Sequence, residues 1–221
     1  MITLKSLILL VCFVGIVGFG PPQGECSQNP PQQVLQAAEE GLPPMLQAIP
    51  QAELDHFNFN SAQELEQATL GSPIQLNTIH PDDILEYEAQ TPIQDLLITT
   101  NIWLFPVIAN GKTRCFLTVD KINGNWEATS IGSAQLAEEW SNICDAYPQG
   151  SGYGKTFVRI YQATSDLVLL DDPDGGNAFI ALRSAGIALG LEGGEVHDPA
   201  DVLLGMKDVV RQSLEQGQQY E

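Results

Sequence analysis

The stretch that decides the fold is residues 101–131, NIWLFPVIANGKTRCFLTVDKINGNWEATSI. It holds three runs rich in β-branched and aromatic residues, separated by two Asn-Gly pairs. Asn-Gly between apolar runs is typical of a β-hairpin, because both central residues of the favoured two-residue turn need a positive φ. We therefore predict a three-stranded antiparallel meander. Its strands would span 101–109, 113–121 and 125–131, joined at Asn110-Gly111 and Asn123-Gly124.

Pro106 lies inside the first predicted strand. Proline has no backbone N–H and cannot donate to a strand ladder, so within sheets it is confined to edge strands and bulges. We therefore expect the first strand to lie at an edge of the sheet or to carry a bulge.

The sequence after the meander predicts a helix that begins near Ser133. Its apolar side chains recur at helical spacing and would form one face that packs on the sheet. They are Leu136, Ala137, Trp140 and Cys144. Further strands are predicted at 156–164, 166–170 and 177–182.

A second helix closes the chain, with Asp198 as its N-cap and Pro199 as its first helical residue. This pair favours a helix start, because the carboxylate accepts a free N–H group and proline lacks the N–H that would stay unpaired there.

Short helices are predicted before the meander. Apolar residues from Val34 onward follow a helical pattern, which Pro43-Pro44, Pro50 and Gly71 divide into short segments. Ser61 with Glu64 three residues later forms a capping box and marks another helix start.

These elements place the chain in the α+β class, because strands and helices do not alternate as they do in a parallel βαβ sheet. The order is short N-terminal helices, the meander, a helix, further antiparallel strands and a C-terminal helix. We predict a single domain over 34–221, preceded by a flexible lead-in at 27–33. The repeated order of strands followed by a helix raises the hypothesis of two similar halves.

Residues 1–26 predict a secretory signal peptide. Lys5 precedes an uncharged run at 6–24, whose apolar centre is typical of a signal-peptide core. Cleavage after Cys26 would leave a periplasmic or secreted protein. The alternative is a membrane-anchored protein held by residues 6–24, since about 20 apolar residues can span a bilayer.

Cleavage would leave Cys115 and Cys144 as the cysteines of the folded domain. In an oxidising compartment such an isolated pair is typical of a disulfide bond. We predict a bond between them that ties the helix to the middle strand of the meander. Closing this loop would stabilise the fold by about 3 to 4 kcal/mol.

The charge of the chain excludes some partners. Nine Lys and Arg against 28 Asp and Glu give a formal net charge of -19. Nucleic acid and anionic lipid repel such a chain, so we exclude nucleic-acid binding and expect membrane contact through an uncleaved N-terminal segment alone. Residues 6–111 hold twelve acidic residues and no Lys or Arg. This half is typical of a solvated surface, and the alternative is an anionic face for a basic partner or divalent cations.

An acidic turn between the last two predicted strands carries the oxygen ligands that calcium prefers. Its residues are Asp171, Asp172, Asp174 and Asn177. The turn lacks the Glu that an EF-hand places at the twelfth position, so a calcium site there would be weak. The alternative is a plain hairpin turn. No other cofactor is predicted.

The familiar enzyme motifs do not fit this sequence. Residues 150–156, GSGYGKT, lack the first glycine of a nucleotide-binding loop and run into a predicted strand instead of a helix. No G-x-S-x-G elbow occurs. Cys144 with His197 and Asp198 could form a cysteine-hydrolase site, but the disulfide explains Cys144 more simply.

Trp103 and Phe105 share one face of the first strand and would form a recognition patch if that face were uncovered. The alternative is that they belong to the core. We therefore expect an exported, non-enzymatic binding or interaction protein. Its partner, a protein or a small ligand, would meet an edge strand or the exposed face of the meander. The alternatives are an exported hydrolase with an unrecognised site and a weak calcium-binding module.

Overall fold

The computed structural model describes residues 29–218, except the side chain of Gln218. The predicted signal peptide at 1–26 lies outside the described residues, as does the start of the lead-in. Within 29–218, no helix combines the length and the apolar character that crossing a membrane requires.

Six α-helices and nine strands make up this part of the chain. The helices are α1 (Gln32–Gln47), α2 (Ala62–Glu66), α3 (Pro81–Glu86), α4 (Ala134–Ala146), α5 (Arg183–Leu189) and α6 (Pro199–Gln218). The strands are β1 (Thr69–Leu70), β2 (Ile74–Ile79), β3 (Leu97–Ala109), β4 (Lys112–Ile122), β5 (Asn125–Gly132), β6 (Gly154–Ile160), β7 (Ser165–Asp171), β8 (Asn177–Ala181) and β9 (Val196–His197). Three short 3₁₀ helices lie at Gln51–Phe57, Ile93–Leu96 and Tyr161–Ala163.

All nine strands join one sheet in the order β5-β4-β3-β2-β6-β7-β8-β9, with β1 also paired to β3. Neighbouring strands are antiparallel except β2 and β6, which are parallel. The predicted α+β class is confirmed: the fold is mixed, with a large and mostly antiparallel sheet. Strands β6, β7 and β8 form a second meander, so β2 lies between two meanders.

The first meander is formed by β3, β4 and β5, and both Asn-Gly pairs lie at its turns. The four turn residues have the positive φ that the sequence predicts: 53° at Asn110, 70° at Gly111, 51° at Asn123 and 90° at Gly124. Strand β3 lies inside the sheet and not at its edge. The alternative expectation, a bulge, is supported, because the register between β3 and β4 shifts between Val107 and Ile108, next to Pro106. Pro106 is accommodated because it falls between the stretch that pairs with β2, which ends at Leu104, and the stretch that pairs with β1, which begins at Val107.

Helix α1 continues through Pro43 and Pro44 to Gln47, so the prediction that these prolines divide it is wrong. The helix packs on β4 and β5 through buried side chains spaced four residues apart. These are Val34, Ala38, Leu42 and Leu46. This burial outweighs the loss of two backbone N–H donors.

Helices cover both faces of the sheet. On one face, Trp103 packs under α1. Trp103 lies opposite Gln75 of β2. Ile79, on the same side of β2 as Gln75, joins a cluster with residues of α3, α5 and α6. On the other face, α4 packs through Ala137, Trp140 and Ile143 on side chains from the centre of the sheet. These include Leu76, Phe116, Phe157 and Val168. Helices therefore cover both faces at the centre of the meander, whereas Asn125, Glu127 and Ser130 of the outer strand β5 are exposed.

The starts of helices α4 and α6 follow the sequence closely. Helix α4 begins one residue after Ser133, and its predicted apolar face does contact the sheet. Helix α6 begins at Pro199, and the Ala200 N–H donates to Asp198 Oδ1 over 2.7 Å. Strand β6 ends at Ile160, earlier than predicted, because a 3₁₀ turn follows and Thr164 has a φ of 47°.

Candidate functional site

Trp103 and Phe105 are 2% and 1% exposed, so they do not form a recognition patch. Their strand alternation is as predicted, but the face they share is the one that α1 covers. They belong to the core.

Cys115 and Cys144 are free thiols in the structure, and the predicted bond between them is not formed. Cys115 packs with Val107 under α1, whereas its neighbour Phe116 points to the opposite face, where Cys144 lies. The sheet therefore separates the two sulfurs. Burial raises the pKa of the Cys115 thiol to about 12. Burial also raises the pKa of Cys144, more than the nearby Lys155 lowers it.

The hydrolase constellation of Cys144, His197 and Asp198 is not assembled. His197 lies opposite Phe179 in the sheet, so its side chain is on the α6 face, away from Cys144. Asp198 caps α6 instead.

In the acidic turn between β7 and β8, the side-chain oxygens accept hydrogen bonds from residues of the turn itself and from the nearby Gln94. Asp172 Oδ1 accepts from the Asp174 N–H over 2.8 Å, and Asp171 Oδ1 accepts from Asn177 Nδ2 over 2.7 Å. Gln94 Nε2 donates to Asn177 Oδ1 over 2.6 Å. Within 29–218, no three His, Cys, Asp or Glu side chains are grouped in a way that could hold a metal ion.

A polar cavity of about 580 Å³ lies where three segments meet: the loop after the first 3₁₀ helix, the β3–β4 turn and the side of α4. We call it the Arg114 cavity. It is lined by Asp55, Asn58, Phe59, Asn60, Gly111, Lys112, Thr113, Arg114, Glu138, Ser141, Asn142 and Asp145. Ligand sites in proteins commonly have volumes of about 300 to 1,000 Å³, so the size suits a small molecule or one side chain of a partner.

A buried ion pair anchors this cavity. Arg114, 9% exposed, donates from Nη2 to Glu64 Oε1 over 3.0 Å and from Nη1 to the Asn58 carbonyl oxygen over 3.0 Å. The Nε atom of Arg114 is buried and has no acceptor among the described residues. A buried donor without an acceptor is costly.

Two turns hold the ion pair in place. Asn110, in the left-handed conformation that the β3–β4 turn requires, donates from Nδ2 to Glu64 Oε1 over 2.8 Å. Asn58, with a φ of 60°, ends the first 3₁₀ helix and presents its carbonyl oxygen to Arg114. The Asn-Gly turn that fixes the meander therefore also orients the carboxylate.

Glu64 stays ionised because its hydrogen bonds favour the charged form. Donation from the Asn60 backbone, and then from the Asn60 side chain, lowers the pKa of Glu64. Burial opposes this and raises the pKa, while Asn110 and Arg114 lower it further. The carboxylate is thus a fixed counter-charge to Arg114 at neutral pH.

The capping box predicted at Ser61 marks the helix start correctly, but the hydrogen bonds of a capping box are not formed. Ser61 is the N-cap of α2, yet Glu64 accepts from the Asn60 N–H over 2.9 Å and the Ser61 side chain caps nothing. Sequence reasoning missed the Arg114 cavity. Its one local signal is Arg114 itself, a charge beside Cys115 at the start of an apolar strand.

Strand β5 forms one edge of the sheet and pairs with β4 alone. Its register passes from Ser130 opposite Thr118 to Ala128 opposite Val119, which leaves Thr129 as a bulge. A bulge interrupts regular pairing and blunts an edge. The edge is therefore a poorer candidate for partner contact than the Arg114 cavity.

Comparison of the chain with protein-family models, curated proteins and solved structures found no significant match.

Proposed function

We propose that this protein is a non-enzymatic binding protein whose ligand occupies the Arg114 cavity. The observation that carries the proposal is the open polar cavity of about 580 Å³ whose lining includes Arg114, which Glu64 and the Asn58 carbonyl oxygen hold in place. The polar side chains of the lining, among them Thr113, Ser141 and Asn142, offer hydrogen-bond donors and acceptors to a ligand.

Binding is favoured over hydrolysis by a cysteine nucleophile because of the state of the thiols. Catalytic cysteines need a lowered pKa, and burial raises the pKa of both Cys115 and Cys144. An exported hydrolase with an unrecognised site is the alternative function.

Export itself is part of the proposal and rests on residues 1–26 of the sequence. Lys5 and the uncharged run at 6–24 support it. Sequencing the N-terminus of the protein purified from its host tests it. A chain that begins at Ser27 is expected, and an intact Met1 would favour the anchored alternative.

The binding site can be tested by filling the cavity. Asn142 is exposed and lines the cavity, so Asn142→Trp should block it, whereas Gln135→Trp places the same side chain on α4 away from the lining residues. The chain from residue 27 is given a C-terminal affinity tag, immobilised through it and incubated with the exported fractions of its host. Mass spectrometry then identifies both proteins and small molecules that are retained.

We expect wild type and Gln135→Trp to retain the same species and Asn142→Trp to lose it. Equal recovery by all three chains would place binding elsewhere. Recovery of nothing above background would remove the support for a binding protein and direct attention to hydrolase assays.

A further inference from the structure

We infer that Asn123 is a site of spontaneous deamidation in the native protein, and that a hydrogen bond to Glu64 protects Asn110 from the same reaction. Glycine follows asparagine at these two positions alone in the sequence. Asn-Gly is the pair that deamidates fastest, because glycine has no side chain to hinder attack by its backbone nitrogen. The inference is independent of the proposed function, since it concerns a covalent change and not a ligand.

Deamidation joins the glycine nitrogen to the asparagine side chain. The Gly124 backbone nitrogen attacks Cγ of Asn123, and the new N–Cγ bond closes a succinimide ring. The Cγ–Nδ2 bond breaks, and Nδ2 leaves as ammonia with the proton of the attacking nitrogen. Water then opens the ring at either carbonyl carbon to give aspartate or isoaspartate. Either product adds a negative charge to a chain whose formal net charge is -19.

The two Asn-Gly turns share the same backbone geometry. Asn110 and Asn123 have φ values of 53° and 51°. The N–H groups of Gly111 and Gly124 donate to no backbone oxygen among the described residues. Both asparagines are exposed. Turn geometry, access to water and the following residue are therefore matched, so a difference in rate has to come from other contacts.

The side-chain contacts of the two asparagines differ. Asn110 donates from Nδ2 to Glu64 Oε1 over 2.8 Å, and the Asn60 N–H holds the same carboxylate over 2.9 Å. Asn123 has no side-chain hydrogen bond with any described residue, although its neighbours do. Its turn joins β4 to the edge strand β5, and residues 121–125 are all exposed. The Asn110 turn is anchored, whereas the Asn123 turn is not.

This anchor acts on the step that precedes the chemistry. Closing the ring rotates the asparagine out of its turn conformation, so the reaction proceeds from a locally opened turn. At Asn110 the opening also breaks a hydrogen bond to a charged group, whereas the Asn123 side chain has no such bond to lose. One such bond corresponds to a factor of about ten in the opening equilibrium. The native fold therefore directs deamidation to Asn123.

The inference is tested on the chain from residue 27, incubated at mildly alkaline pH in native buffer and in guanidinium chloride. Peptide mass spectrometry follows the conversion of Asn110 and Asn123, and electron-transfer fragmentation distinguishes aspartate from isoaspartate. Asn125 is the internal control. It is exposed beside the same turn but is followed by Trp126, whose side chain hinders the attack, so it should stay intact over the same period.

In native buffer we expect Asn123 to deamidate about tenfold faster than Asn110. In guanidinium chloride the two rates should become equal, because the hydrogen bond is lost and glycine follows both residues. Glu64→Ala should raise the native rate at Asn110 about tenfold and leave the rate at Asn123 unchanged. Glu66→Gln, on the same short helix, should change neither rate. Unfolding of a variant would accelerate both asparagines, so the rate at Asn123 separates loss of the hydrogen bond from loss of the fold.

Three results on the wild-type chain would overturn the inference. Equal rates at Asn110 and Asn123 in native buffer would show that the contact with Glu64 gives no protection. An Asn123 that stays intact in native buffer but reacts in guanidinium chloride would show that the native turn is not a deamidation site. A tenfold difference that persists in guanidinium chloride would assign the preference to neighbouring residues in the sequence instead of to the fold.

Discussion

Gly41 of α1 lies directly against Ala128 of β5, so close that a Cβ built on Gly41 would overlap the Ala128 methyl group. Glycine inside a helix is unfavourable by itself. Its presence here lets α1 approach the outer strand of the meander, and this approach brings Val34 and Leu42 onto the core.

We therefore predict that Gly41→Ala destabilises the protein, although alanine favours helices. Overpacking costs about 1 to 3 kcal/mol, whereas the gain in helix propensity is at most about 1 kcal/mol. The compensating change Ala128→Gly should restore much of the loss, because it removes the methyl group that the new side chain on α1 would meet. Urea unfolding of the two single variants and the double variant measures this. Additive losses in the double variant would show that the two positions do not interact.

Glu64 should make stability depend on pH in the acid range. Its pKa is lowered in the folded state from an ordinary value of 4.5, so its contribution is full above that pH and is lost as the pH falls through the lower folded pKa. We expect Glu64→Gln to reduce the Tm at neutral pH by several degrees and to flatten the loss of Tm below about pH 4.5. Parallel acid profiles of wild type and variant would contradict this.

Glu66→Gln is the matched control for that prediction. Glu66 is exposed on the same short helix and has no hydrogen bond or ion pair with another described side chain, so its removal should leave the Tm profile close to that of wild type. Thermal melts monitored by circular dichroism across the acid range compare the three chains.

The sequence predicted the meander because its turn chemistry is local. Asn110 and Gly111 need a positive φ whatever surrounds them, and the structure places both there. The continuation of α1 through Pro43 was not predictable in this way, since it depends on burial against strands about eighty residues further along the chain.

The Arg114 cavity was out of reach of sequence patterns for the same reason. Glu64 and Arg114 are 50 residues apart, and their pairing exists only after α2 and the β3–β4 turn are placed by the rest of the fold. The pattern at Ser61 and Glu64 correctly marked a helix start, but a capping box looks the same whether its carboxylate is solvated or buried. Likewise, alternation put Trp103 and Phe105 on one face without showing that α1 covers it.

The two cysteines should react as separate thiols. In the chain from residue 27, we expect Cys144 to be alkylated slowly and Cys115 to be protected in the native state, because Cys115 is 0% exposed and burial raises its pKa to about 12. In denaturant without a reductant, both cysteines should be alkylated rapidly. Iodoacetamide labelling followed by peptide mass spectrometry measures this. Two unlabelled cysteines in denaturant would instead indicate a disulfide bond.

Strand β2 should couple the stability of the two meanders. It pairs with β3 on one side and with β6 on the other, and its Leu76, 0% exposed, packs beside Phe157. We predict that Leu76→Ala lowers the free energy of unfolding by about 2 to 5 kcal/mol, the usual cost of a cavity in a core. Because β2 pairs with a strand of each meander, the variant should still unfold in one calorimetric transition at a lower temperature.

Ile98→Ala is the control for this last prediction, since Ile98 lies on β3 but is 44% exposed. This substitution should lower the free energy of unfolding by about 0.5 kcal/mol or less. Differential scanning calorimetry compares both variants with wild type. A second transition in Leu76→Ala, with one half melting at the wild-type temperature, would show that each meander is stable without the other. The parallel pairing of Leu76 with Phe157 would then be a contact between independent units instead of the centre of one cooperative sheet.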